Sequence, residues 1–402
     1  MNTIAWIENR FKDAGRMERA AADYDVDEMK KAVSFHSSMP QYDETPFIEL
    51  KNLSEMLGIA KIYLKDESKR FGLNAFKGLG VSYAMAKYFA GELDVDLKDF
   101  TFEKLLEKVS DLPAATFSTA TDGNHGIGVA WAAEIFKQNS KVYMPKGTAK
   151  SRLDAVLKYG AEGTITDLNY DETVEFVREL SQENGWIHLQ DTAWEGYTEF
   201  PMYIMQGYTT IIEEIERQLK NSSLGEVSHV ILQAGVGSFA GAMAAALYNL
   251  TNGKPPRIIV VEPGKANCLY QSAGSEEGMP VRVHGELDSM MAGLSCGEPS
   301  PVGWEILKSI TDCFVSCDDA ISAKGMRVLG SPAGGDEKVV SGESGSVPLG
   351  FLYEVMTNEE YDGLKEQLGL DAASEVLMIN TEGDTDPENY RKVTGDGSGE
   401  SE

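Results

Sequence analysis

HVILQAGVGSFAGAMAAALYNLTNGKPPRIIVVEP, residues 229–263, decides the fold. A short apolar run leads into Gly235-Val236-Gly237-Ser238-Phe239-Ala240-Gly241. A helical pattern follows over 239–250, and a second apolar run over 257–263. Strand, glycine turn, helix, strand is the unit of a parallel sheet, because a parallel neighbour needs a crossover that returns the chain to the same end. The second strand, RIIVVEP, is continuously Val/Ile-rich with no polar alternation, the mark of a strand covered on both faces. The pattern extends both ways. Upstream, KIYLKDE (61–67), ATFSTA (115–120), KVYMP (141–145), GTITD (163–167) and WIHLQD (186–191) read as strands. Helical segments stand between them at 78–93, 125–139, 151–160 and 171–184. Downstream, VLMINTEGD (376–384) closes the series. The expectation is an α/β fold on mostly parallel sheets. Segment 94–113 reads as an inserted, charged surface helix, and 192–208 as a crossing between domains. The tail GDGSGESE (395–402) reads as disordered.

At 402 residues and 42% hydrophobic, the chain exceeds what a single core usually holds, so two domains are expected. Acidic side chains number 64 against 36 basic, a net charge of -28 that repels nucleic acid and anionic membrane alike. No run approaches the ~20 apolar residues of a membrane span. The N-terminal MNTIAWIENRFKDAGR carries charges throughout and lacks the apolar centre of a secretion signal, so the cytoplasm is expected. Four cysteines are too few for a disulfide scaffold. Cys313 and Cys317 stand four apart in CFVSC, but no second pair completes a zinc site, and the five histidines show no ligand spacing. No metal is expected. The cysteines are expected as thiols, with a Cys268–Cys296 bridge left open.

Sheets of this kind bind ligands at the carboxyl ends of their strands. After the first strand comes KDESKRFGLNAFKGLG (65–80), with Lys77 at a helix start between Phe76 and Gly78. A lysine that forms a Schiff base must be neutral, partly desolvated and beside room for a planar ring. Standing alone, Lys77 would be an ordinary surface cation. After ATFSTA comes Thr121-Asp122-Gly123-Asn124-His125-Gly126. Asn124 can donate to a phenolate-type oxygen and Asp122 supplies a carboxylate; by itself this is a capped tight turn. The main chain of Gly235, Val236, Gly237, Ser238 and Gly241 forms an anion cradle suited to phosphate. A nicotinamide-dependent oxidoreductase is a rival reading of that loop, since Glu262 stands where a ribose-binding acid would, about twenty residues on. Against it are the G-x-G-x-x-x-G spacing and the unit's late position; it also leaves Lys77 and Asn124 unexplained. Asp191 ends WIHLQD ahead of an aromatic loop, and Thr381 offers a hydroxyl after the last strand.

Taken together, the N-A-F-K lysine, the T-D-G-N-H-G loop, the glycine cradle and the late Thr381 resemble the fold-type II pyridoxal phosphate enzymes. Within that group the chain resembles the diaminopropionate ammonia-lyase family. The resemblance runs through KDESKRFGLNAFK (65–77), TDGNHG (121–126), QDTAWEGYT (190–198), QAGVGSFAG (233–241), MAGLSCGEPSP (291–301), SGESG (341–345) and TEGDTD (381–386). It implies pyridoxal 5'-phosphate held by Lys77, with Asn124 facing the ring O3', Gly235–Gly241 on the phosphate and Thr381 near the pyridine nitrogen. It also implies two α/β domains with the cofactor in the cleft between them: a large one of 1–86 and 198–402, and a small one of 87–197 inserted in it. A homodimer is implied as well. Asp122 departs from the dehydratases, which carry a small hydroxyl residue there, and together with Asp191 it matches the ammonia-lyases. A β-ammonium group needs a carboxylate, since burying an unpaired cation is costly, whereas a neutral hydroxyl does not. The implied reaction is α,β-elimination of 2,3-diaminopropionate, D and L, to pyruvate and two ammonia. Lys77 and Asp122 would act as bases on opposite faces. A serine/threonine dehydratase-like β-eliminase is the nearer alternative.

Overall fold

The computed structural model describes residues 3–121, 123–219 and 222–395, and residue 171 by its backbone alone. Its strands are β1 (Ile4–Glu8), β2 (Phe47–Glu49), β3 (Lys61–Asp66), β4 (Thr116–Ala120), β5 (Asn139–Met144), β6 (Glu162–Ile165), β7 (Ile187–His188), β8 (His229–Gln233), β9 (Arg257–Pro263), β10 (Cys313–Cys317) and β11 (Glu375–Asn380). The chain forms two compact units. One takes Met1–Val26, Glu44–Ala75 and Ile211–Glu402; the other takes Asp27–Asp43 and Phe76–Thr210.

The first unit holds a seven-stranded sheet in the order β1-β10-β9-β8-β11-β3-β2. Its five inner strands are parallel, and each edge is closed by an antiparallel strand. β8 and β10 are buried along their whole length and β9 everywhere but Arg257, which is why their sequences show no polar alternation. Ile231, Ile259, Val261, Val315 and Met378 form the centre of this core. Each such side chain contributes roughly 1.5–3 kcal/mol by leaving water. The helices Asp319–Gly330 and Glu343–Thr357 touch main chain to main chain: a Cβ on Gly350 would stand 1.9 Å from the Ile321 carbonyl oxygen. CFVSC is a sheet strand with Cys313 and Cys317 buried in it.

The second unit holds a parallel four-stranded sheet, β6-β5-β4-β7, over a core of Ala130, Val142, Met144, Val156 and Ala161. The charged segment 94–113 contains a shorter helix than expected, Phe102–Val109, capped by Thr101. It buries Phe102, Leu105 and Val109, so it is a docked amphipathic helix with a charged outer face. The helices Lys77–Glu92 and Glu199–Tyr208 cross through glycines. A Cβ on Gly80 would lie 2.5 Å from the Tyr208 ring, and one on Gly207 would lie 2.6 Å from the Leu79 carbonyl oxygen. Among the described residues no helix is long and apolar enough to cross a membrane, and no cluster of His, Cys, Asp or Glu is arranged to hold a metal.

Candidate active site

In the second unit, Lys77 is the first residue of its helix, with its amine beside the rings of Phe76 and Tyr208 at 5.2 and 6.0 Å. Its side chain is 23% exposed, enough to be reached and little enough to be partly desolvated. Nζ donates to Oδ2 of Asp191 at 2.5 Å. Asp191 reaches this position because Gln190 continues the β7–β4 ladder with its side chain. Gln190 Nε2 donates to the Ala120 carbonyl at 2.9 Å, and Oε1 accepts from the Ala120 N–H at 3.2 Å. His125, two residues into the helix Asn124–Ile135, stands with Nδ1 3.6 Å from the same Oδ2. Its Nε2 lies 2.9 Å from the Leu189 carbonyl oxygen. Burial opposes the charge on Asp191, but His125 and Lys77 outweigh it and hold the carboxyl well below the usual range.

Asn124 opens the helix that packs on Lys77's own. A Cβ on Gly128 would stand 3.4 Å from the Lys77 carbonyl carbon, so the small residue sets how closely the helices approach. Lys77, Asn124 and Asp191 thus belong to one unit, and Lys77 and Asp191 touch. Asp122 lies outside the described residues. His125, Gln190 and Tyr208 also belong to this arrangement, though none was among the expected site residues. The signal for His125 was its place directly after Asn124; for the other two there was none without the fold.

In the first unit, the expected cofactor residues sit at the carboxyl ends of adjacent strands, as the sheet topology requires. Gly235 follows β8, and the turn enters the helix Ser238–Leu250 through Gly237 at φ +96°, a conformation that L side chains resist. A Cβ on Gly235 would come within 3.1 Å of Cys296 Sγ and 3.2 Å of Leu294 Cα. Glycine at 235 therefore lets the segment 293–296 pack directly on the turn. Thr381, buried just beyond β11, accepts a 2.8 Å hydrogen bond from Gln233 Nε2 at the end of β8, which ties the two strand ends together. The Oε1 of Gln233 is buried without a hydrogen-bond partner among the described residues. Within this unit, the glycine turn at the helix head and the hydroxyl of Thr381 suit the phosphate and the ring nitrogen of pyridoxal phosphate; within the second unit, the partly exposed amine of Lys77 suits its aldehyde.

Glu262 does not serve the dinucleotide reading. It is fully buried, and its carboxylate accepts the N–H groups of Leu269 at 2.9 Å and Tyr270 at 2.6 Å. Burial pushes its carboxyl up to about 8 despite those bonds. An acid turned into the protein in this way is not presented to a ribose.

The turn leading to Lys77 is anchored from two sides. Asn74 adopts φ +59°, and its carbonyl accepts the Gly383 N–H at 3.0 Å, while Ala75 bridges to Glu382. Upstream, Lys65, Glu67, Arg70 and Glu214 form an ion network with no exposed side chain. Arg70 donates to Glu67 at 2.9 and 2.8 Å and to Glu214 at 2.8 Å through both Nη atoms. Lys65 donates to Glu214 at 2.6 Å.

Residues 39–364 match the family model of pyridoxal-phosphate dependent enzymes. A diaminopropionate ammonia-lyase of Salmonella typhimurium is 48% identical over 373 residues, covering 91% of this chain and 92% of that protein. Its Escherichia coli counterpart is 46% identical over 368 residues, covering 92% and 91%. Among solved structures, holo diaminopropionate ammonia lyase from E. coli gives a TM-score of 0.91 at 43% identity, over 99% of this chain and 98% of that one. The same enzyme in complex with an aminoacrylate-PLP azomethine reaction intermediate gives 0.89 at 42% identity, with the same coverage. This chain belongs to the pyridoxal-phosphate dependent enzymes and, within them, to the diaminopropionate ammonia-lyases.

Proposed function

We propose that this protein is a pyridoxal phosphate-dependent lyase that converts 2,3-diaminopropionate, in both the D and L forms, to pyruvate and two ammonia by α,β-elimination. The observation that carries the reading is the half-buried carboxylate of Asp191 on the amine of Lys77 at 2.5 Å: the site holds an ammonium group. When bound, the cofactor supplies an electron sink for the Cα–H bond pair. The protein supplies the rest. Lys77 carries the cofactor and takes the α-proton on its own face. Asp122 is the base for the opposite face, so that both enantiomers react. Asp122 and Asp191 accept the substrate's β-ammonium, which a serine hydroxyl would leave unpaired partners for. The main-chain N–H groups of Gly235, Val236, Gly237, Ser238 and Gly241 receive the phosphate, Asn124 donates to the ring oxygen, and Thr381 meets the ring nitrogen as a neutral hydroxyl. The protein is further proposed to be a cytoplasmic homodimer, its acidic surface keeping it from nucleic acid and anionic membrane.

The test is direct. Purified protein should be yellow, lose that colour on Lys77→Ala, and release pyruvate from both isomers of 2,3-diaminopropionate. Colourless protein that binds a nicotinamide cofactor would overturn the reading. Yellow protein that turns over only serine would favour the dehydratase.

A further inference from the structure

Behind Asp191 stands a group that none of these roles uses. His125 is buried, and its Nε2 is 2.9 Å from the Leu189 carbonyl oxygen. A carbonyl only accepts, so Nε2 carries the hydrogen and Nδ1 is the bare atom. Nδ1 has no hydrogen-bond partner among the described residues and faces Asp191 Oδ2 at 3.6 Å. Two lone pairs turned toward each other in a buried site repel. A proton on Nδ1 converts the repulsion into a charge-assisted N–H···O contact that closes the short remaining gap. Which form is stable depends on what else Asp191 holds. While the Lys77 ammonium sits on Oδ2, the carboxylate is already paired and the imidazole is left neutral. Burial, together with the Lys77 charge, accordingly lowers the His125 imidazole, with Asp191 pulling the other way. Once the lysine nitrogen is uncharged, Asp191 loses that positive charge, and His125, 3.6 Å from the same oxygen, is placed to supply one. His188, on which the His125 ring acts in turn, is held neutral first of all by burial, at about 4. It therefore does not compete for the proton near neutral pH.

We infer that His125 stores the proton Lys77 must lose to become a nucleophile or base, receiving it at Nδ1 through Asp191. In this step an N–H bond of the Lys77 ammonium breaks and its electron pair stays on Nζ. The proton crosses Asp191 Oδ2 and forms the Nδ1–H bond of His125. Asp191 begins and ends as a carboxylate, and the three groups carry zero net charge before and after. A lysine must be neutral to react, and releasing its proton into a partly desolvated site would leave a buried charge uncompensated. The relay removes that penalty by keeping the cation 3.6 Å from the same oxygen. His125 acts through Asp191 and so is a positioning residue of the lysine's charge state; the inference rests on Lys77 being the reactive lysine.

Two measurements test it. In cofactor-free protein with 15N-labelled histidine, the ring nitrogens of His125 are assigned through bonds to their own backbone and followed by NMR near neutral pH. Nδ1 should be unprotonated in the wild type and protonated in Lys77→Met, where Asp191 has lost the lysine's charge. An unprotonated Nδ1 in both proteins overturns the inference. The second measurement uses His125→Gln, which keeps a donor for the Leu189 carbonyl but cannot hold a proton. Capture of pyridoxal phosphate by the cofactor-free protein, followed by the growth of yellow absorbance, should be about tenfold slower near neutral pH. It should recover toward the wild-type rate as the medium becomes alkaline. Equal rates at every pH would overturn the relay while wild-type turnover of diaminopropionate still stood. Wild-type protein that never turns yellow would instead sink the proposed function.

Discussion

Replacing Glu214 by Gln tests the ion network that anchors the run leading to Lys77. Glu214, Glu67, Lys65 and Arg70 are fully buried and sum to zero charge. The substitution keeps the side chain's shape and leaves two cations facing one carboxylate. Burial raises the Glu214 carboxyl, but Arg70 and Lys65 outweigh it and hold it at about 2 against an ordinary 4.5. At about 1.4 kcal/mol per tenfold change in proton affinity, that gap corresponds to about 3 kcal/mol. Breaking a buried pair by removing one partner costs a similar ~3–5 kcal/mol. With a melting shift of about 2–4 °C per kcal/mol, the variant should melt about 6–12 °C below wild type at neutral pH, followed by circular dichroism. The sign with pH is fixed. A carboxyl whose folded pKa is depressed stabilises the fold above 4.5, and this contribution is lost as pH falls toward 2, so the two melting curves should converge in acid. Much of the loss should come from stranding a cation. The double variant Glu214→Gln/Arg70→Met should therefore recover part of it. A single variant within about 1 °C of wild type, or a double variant no better than the single, would refute the reasoning.

Three further outcomes are expected. Asp122→Asn should depress kcat on D-2,3-diaminopropionate more than on the L isomer; equal losses would remove Asp122 as a face-specific base. Gly237→Ala forces a side chain into φ +96° with its Cβ 3.2 Å from Leu307 Cδ1. The strain is worth about 1–2 kcal/mol and should weaken pyridoxal phosphate binding about tenfold in an absorbance titration. His188 is held at about 4 by burial, then by His125 and Arg178, so the unfolded chain takes up its proton near 6.5 and the folded protein does not. Stability should therefore fall by up to about 3 kcal/mol between those two values. His188→Gln should flatten the urea midpoint against pH over that window.

Much of the architecture was legible because buried parallel strands carry their environment in their composition. RIIVVEP is the strand Arg257–Pro263, and KIYLKDE contains β3 at Lys61–Asp66. What stayed hidden depends on pairing across distance. β1 and β2 are short edge strands of five and three residues, too brief for a periodic signal. CFVSC drew attention as a cysteine pair although its five residues form a buried strand. The candidate site was legible where chemistry and sequence neighbourhood coincide, as in Lys77 after Asn-Ala-Phe. It was not legible where a partner arrives from elsewhere. Arg70 meets Glu214 across 144 residues, and Gln233 meets Thr381 across 148. His125 was visible as a residue but not as a neighbour of Asp191, because that depends on how Gln190 extends β7 along β4.

The place of β11 has a consequence for the order in which the protein is made. β11 lies between β8 and β3. The segment just past it latches the turn before Lys77, through Gly383 to Asn74 and Glu382 to Ala75. The lysine's turn leaves the ribosome early, and its latch is about three hundred residues behind. At about 5–20 residues per second, that is a delay of about 15–60 s. Throughout that interval the lysine-bearing turn has no latch, and once β8 has emerged an open slot lies between it and β3. A nascent chain that stalls before Glu375 therefore carries Lys77 without the strand whose end latches its turn. The turn before Lys77 can be latched only late, after the last strand has been made for the middle of the sheet.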